Sequence, residues 1–121
     1  MVLDGQQRIR LEMTGEGFEI ASEGIDISPY HLLGASLASC TALMFESWAP
    51  QTGVDLAPLT ISVSWEMAEE RPMRVRSMAM ELEWPGLPAE RVETAERVAD
   101  LCPIHATLER SAEISRRIVA A

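Results

Sequence analysis

Residues 28–48, SPYHLLGASLASCTALMFESW, constrain this chain more than any other stretch. Ser28 followed by Pro29 is an effective helix opening: serine caps unpaired backbone N–H groups, and proline is tolerated at the first helical position. The spacing predicts a helix from there to about Trp48. Leu32, Leu33, Leu37, Ala38, Cys40, Leu43, Met44, Phe45 and Trp48 leave it apolar nearly all round, which is the mark of a helix surrounded by protein. Any fold for this chain must supply that surrounding.

The flanking segments read mainly as strands. In RIRLEM, residues 8–13, Ile9, Leu11 and Met13 alternate with Arg8, Arg10 and Glu12, the period of a half-buried strand. TGEG then reads as a turn and residues 18–20 as the returning strand, with a short extra strand at Val2 and Leu3. After the helix, LTISVSWEM places Leu59, Ile61, Val63, Trp65 and Met67 on one face; Met78, Met80, Leu82 and Trp84 repeat the pattern after AEERPMR. These two runs predict an antiparallel hairpin. Residues 89–101 carry apolar positions at helical spacing and end at Cys102, Pro103 opens a short helical piece to about Leu108, and AEISRRIV reads as a last strand.

The expected architecture is therefore α+β, with an N-terminal β-hairpin, a buried central helix, a second hairpin, a second helix and a C-terminal strand in one domain over residues 1–121. So small a sheet cannot alone enclose a helix apolar on every side. An obligate homodimer is the expected solution.

Composition removes several functions. The formal charge is −9, which argues against a nucleic-acid partner, because phosphate binding needs a basic surface. All ten basic residues are arginine, so a Schiff-base lysine or a phosphate-loop lysine is excluded. No run of 18 apolar residues and no basic-then-apolar leader is visible, so neither membrane nor export is indicated and a cytoplasmic location is expected. Cys40 and Cys102, with His31 and His105, are too few for an ordinary zinc cluster unless all four converge, and their spacing matches no metal motif. Neither a metal nor another cofactor is expected.

Cys40 and Cys102 stand 62 positions apart and meet only if their two helices pack together. Either one alone reads as an ordinary core residue. Taken together, SPYHLLGASLASCTALMF and VADLCPIHATLE resemble the OsmC/Ohr family, whose members carry a Pro-x-x-Leu-Leu run, a small-residue helix with Ala-x-Cys and a second Cys-Pro. The resemblance spans nearly the whole chain. It implies an intertwined homodimer and reduction of organic hydroperoxides, with Cys40 as the peroxidatic cysteine, Cys102 as the resolving one, and an external dithiol as reductant.

A buried thiol is inert unless a cation or a helix N-terminus ionises it. In the peroxidase members an arginine does so, oriented by a glutamate ten residues before the cysteine; here that position is Tyr30. Arg8 and Arg10 fall near the place of the family's arginine, and Arg8 is the preferred activator, with an exposed strand-edge residue as the alternative. On one straight helix Tyr30 would lie about 15 Å from Cys40, so Tyr30, His31 and His105 are taken as substrate-binding candidates. His105 stands about one turn after Cys102 and is placed to polarise that thiol or a substrate; a polar residue at a pocket mouth or interface is the plain reading. Ser36 and Ser39 are small residues that permit close packing. Two functions follow: a two-cysteine peroxidase, or a noncatalytic OsmC-like protein binding an apolar ligand at the dimer interface.

Overall fold

The computed structural model describes residues 7–14, 17–22 and 28–120. Strands β1 (Arg8–Thr14) and β2 (Gly17–Ser22) form the expected N-terminal hairpin, and β3 (Thr60–Met67) and β4 (Val75–Glu83) the second. All four join one antiparallel sheet in the order β2-β1-β3-β4. Register aligns the apolar rows across it: Leu11 lies opposite both Ile20 and Ile61, and Val63 opposite Met80. Ile9, Leu11, Met13, Ile61, Val63 and Trp65 therefore share the buried inner face. The proposed strand at Val2 and Leu3 lies outside the described residues.

Helix α1 (Pro29–Thr52) lies across that inner face. Ser28 caps it: its Oγ accepts the Tyr30 and His31 N–H groups at 3.2 and 3.3 Å, while His31 Nδ1 accepts the Ser28 N–H at 3.2 Å. This reciprocal box satisfies donors that would otherwise be orphaned at a helix start. The helix passes Trp48 and Pro50 and stops at Gly53, whose φ of 72° suits a left-handed cap. Pro50 removes a single backbone hydrogen bond close to the helix end, so the chain turns only where glycine permits it.

Close approach is set at Gly34, where an added Cβ would meet Trp65 Cζ3 at 3.0 Å and Ile9 Cγ2 at 3.1 Å. Leu37, Ala38, Ala42, Phe45 and Ala49 continue the buried stripe. The rest of the helix is not covered: Leu32 is 64% exposed and Leu43 49%. Within one chain α1 is buried along one face rather than all round.

A 3-10 turn (Ala89–Arg91), α2 (Val92–Ala99) and α3 (Pro103–Arg110) complete the ordered elements, so the expected second helix is shorter at both ends. The expected C-terminal strand is absent. Residues 112–120 have no regular structure and are exposed throughout, Ile114 at 91% and Ile118 at 85%. Alternation alone does not make a strand, which exists only where a neighbouring backbone accepts its ladder of hydrogen bonds.

Gly34→Val should lower stability by about 1–3 kcal/mol through overpacking against Trp65, measured as a reduced midpoint with unchanged slope in denaturant unfolding. A midpoint at or above that of the parent protein would contradict the close approach.

Candidate functional site

The sheet-facing stripe of α1 fixes where its other residues point. Leu37, Thr41 and Phe45 are committed to the sheet side, so Cys40 is turned to the helix flank, half-buried. Along that flank begins α3. Cys102, fully buried, is its N-cap, with Pro103 in the first helical turn. Pro103 presets the backbone for the turn, and Cys102 Sγ accepts the His105 N–H at 3.4 Å.

The helix opening thus faces both sulfurs. The Cys102 side chain and the Ile104 N–H both lie close enough to act on the Cys40 thiol. Burial, the largest influence, pushes the Cys40 thiol up; the Cys102 hydrogen bond and charge push the same way, and the Ile104 N–H pulls against them. The balance leaves it above its ordinary value. Among the described residues no arginine or histidine is among these influences, and a backbone N–H is the one that favours the thiolate.

A cleft of about 600 Å³ lies between α1, β4 and α3. Leu33, Leu37, Met78 and Leu108 give it apolar walls, and Tyr30, His105, Arg74 and Arg76 bring polar groups to it. His105 Nε2 stands 3.4 Å from Glu109 Oε2, one turn further along α3. Arg74 reaches Glu70 at 2.7 Å, and Arg76 pairs with Glu66. Among the described residues no group of three or more His, Cys, Asp or Glu side chains could hold a metal ion.

The structure brings together Cys40 and Cys102, and separately Tyr30 and His105 at the cleft. It separates the other candidates from them. Arg8 lies on the outer face of the sheet beside Ser62, Ser64 and Glu81, while α1 occupies the inner face. The strand period that buries Ile9 and Leu11 necessarily turns Arg8 and Arg10 outward, and Arg10 pairs there with Glu12 at 3.3 Å. His31 is 1% exposed, engaged in the cap and packed edge-on against Trp65 at 4.9 Å. It is a core residue, not a wall of the cleft.

Sequence reasoning missed the α3 opening as the anion-stabilising element. The signal was present in Cys102-Pro103, which repeats the cap-then-proline pattern of Ser28-Pro29; a thiol is a poor enough acceptor to hide it.

The model of the OsmC-like protein family matches residues 22–116. Among solved structures, an OsmC-like hydroperoxide resistance protein from Jannaschia sp. CCS1 superposes with a TM-score of 0.70 at 17% identity, over 93% of this chain and 91% of that one. An OsmC-like protein from Mycoplasma pneumoniae gives 0.60 at 18% identity, over 89% and 90%. These two likenesses establish the α+β fold. No curated protein sequence matches the chain.

Cys102→Ala removes two of the influences that hold the Cys40 thiol up. Alkylation of Cys40 by iodoacetamide at pH 8 should accelerate about threefold or more, followed by intact mass; an unchanged or slower rate would contradict the contact.

Proposed function

Because this chain belongs to the OsmC-like family, we propose that it is an Ohr-type thiol peroxidase that reduces organic hydroperoxides through Cys40 and Cys102. One observation carries the reading: two thiols from distant parts of the sequence close enough to influence each other, one of them at the opening of a helix. The likeness to a hydroperoxide resistance protein supports it.

In the first step the Cys40 thiolate attacks one oxygen of the hydroperoxide. The O–O bond breaks, the alcohol leaves with a proton, and sulfur is oxidised to the sulfenic acid. Cys102 then attacks that sulfur, water leaves, and a disulfide forms. An external dithiol returns both cysteines to thiols by exchange, and is itself oxidised. Cys40 is the half-buried thiol and Cys102 the fully buried one, which favours Cys40 as the residue that meets substrate. Leu33, Leu37, Met78 and Leu108 suit the apolar body of an organic hydroperoxide, and Tyr30 and His105 suit its oxygen end.

The working unit in this reading is a homodimer, since a second copy would cover Leu32 and Leu43 on the bare side of α1. The cytoplasm, where dithiol reductants keep cysteines reduced, is its proposed location. A second reading, a noncatalytic protein holding an apolar ligand in the same cleft, is favoured by the burial that pushes the Cys40 thiol above its ordinary value and so disfavours the thiolate.

Reduced protein titrated with cumene hydroperoxide should lose two thiols per chain at near-stoichiometric oxidant, faster than with hydrogen peroxide, and the rate should climb with pH as the thiolate fraction grows. Cys40→Ser should abolish the reaction, and Cys102→Ser should accumulate the sulfenic acid. Intact mass and thiol counting give the readout; retention of both thiols at near-stoichiometric peroxide would leave the ligand-binding reading in its place.

A further inference from the structure

The two helices that carry the thiols and their cap open on the same tetrad: Ser28-Pro29-Tyr30-His31 starts α1, and Cys102-Pro103-Ile104-His105 starts α3. In each, the first residue caps the helix with its side chain, proline sits in the first turn and histidine stands at the third helical position. The α1 tetrad forms a closed box. Ser28 Oγ accepts the His31 N–H at 3.3 Å, and the imidazole folds back over the helix start, with Nδ1 at 2.8 Å from Ser28 Oγ and 3.2 Å from Ser28 N. Nδ1 accepts the Ser28 backbone N–H, so it carries no proton of its own and can accept the hydroxyl proton as well. A tetrad of this kind sets an unprotonated imidazole nitrogen beside the side-chain heteroatom of the cap.

The α3 tetrad keeps the first half of this box and not the second. Cys102 Sγ accepts the His105 N–H at 3.4 Å, but the Cys102 N–H is taken by Ala99 O at 3.1 Å, because α2 ends immediately before it. With that donor satisfied, the backbone does not hold the imidazole over the helix start. It lies along α3 instead, with Nε2 at 3.4 Å from Glu109 Oε2. A proton on Nε2 facing that carboxylate leaves Nδ1 as the acceptor, the tautomer that the α1 box also uses. Tyr30, Arg74 and Arg76 face the ring across the cleft, and the two arginines are paired with Glu70 and Glu66. His31 is buried against Trp65 and cannot turn. The His105 side chain is 37% exposed, and exposed side chains change rotamer within nanoseconds.

A proton acceptor at this point answers a need of the second chemical step. Cys102 has to lose its proton to attack the sulfenic acid, and it is wholly buried, so the proton passes to a group of the protein rather than straight to water. We infer that His105 turns its imidazole back over the start of α3, as His31 does at α1, and serves as the general base for Cys102. Nδ1 takes the Sγ proton while the His105 N–H holds the thiolate. Cys102 Sγ then bonds to the Cys40 sulfur, the S–O bond of the sulfenic acid breaks, and the departing oxygen collects the proton from the imidazolium and leaves as water. The alcohol has already left, so this role follows the contact of His105 with the oxygen end of the substrate and does not compete with it. The inference rests on the two-cysteine reading and deepens it by assigning the base of its second step.

Dipyridyl disulfide reads this step without peroxide. Cys40 exchanges with it first and releases one thiopyridone; attack of Cys102 on the mixed disulfide at Cys40 releases a second, in a separate phase. In the parent protein the second phase should level off above about pH 7, where imidazole is neutral. His105→Ala and His105→Gln should each slow it by about tenfold or more at pH 7 and leave it climbing to about pH 8.5, the range of an unassisted thiol. A second phase at the parental rate in either variant would overturn the inference. A slower phase that keeps the parental pH profile would overturn it too, by assigning His105 to packing alone, and so would a parent protein without a second phase. A His105-dependent second phase in a protein indifferent to cumene hydroperoxide would support the inference while sinking the peroxidase reading alone. Loss of both thiols to peroxide, with a second phase that ignores His105, would do the reverse.

Discussion

Everything near the thiols is placed by the seat of α1 on the sheet. Gly34 lets the backbone approach Trp65 and Ile9, and alanines at 38, 42 and 49 keep the helix axis close along the rest of its length. Dense packing of that kind leaves a helix little freedom to roll. With one stripe committed to the sheet, Cys40 is held on the flank where α3 begins, and Leu32 and Leu43 are left uncovered. The same packing thus fixes Cys40 beside the start of α3 and leaves an apolar strip of α1 exposed.

Two effects oppose each other at Cys40. Taking a sulfur out of water disfavours its charged form, while N–H groups at a helix start favour it. In this fold burial wins over the single Ile104 N–H. Strand β1 cannot help, because its inner face has to be hydrocarbon to seat α1, and Arg8 and Arg10 are therefore turned to the far side.

The parts legible in the sequence were those decided locally. Alternation in residues 8–13 and 59–67 gave the strands and their buried rows, and Ser28-Pro29 gave the start of α1. Cys40 and Cys102 were legible as a pair only through family resemblance, since nothing within either segment says that they meet. What escaped were features decided by where the chain as a whole lies. His31 reads in the sequence as a substrate-binding candidate because its residue type is chemical, yet its place at the third position after Ser28 makes it a cap and its neighbour Trp65 makes it core. Arg8 falls near the place of the family's arginine along the chain, and the strand period turns it to the face of the sheet away from α1. The run at 112–120 has a strand's pattern without a neighbour to pair with, and pattern cannot supply one.

The alanines under α1 act as spacers. Ala38 and Ala42 lie on either side of Cys40 in sequence and are wholly buried, so their methyl groups set the height at which the helix rides above the sheet. Sulfur-to-sulfur alignment is consequently governed by hydrocarbon volume on the opposite side of the helix from any chemistry. Enlarging or shrinking a spacer would tilt Cys40 with respect to the start of α3 without touching a reacting atom, which makes the core of this protein the natural place to tune the thiols.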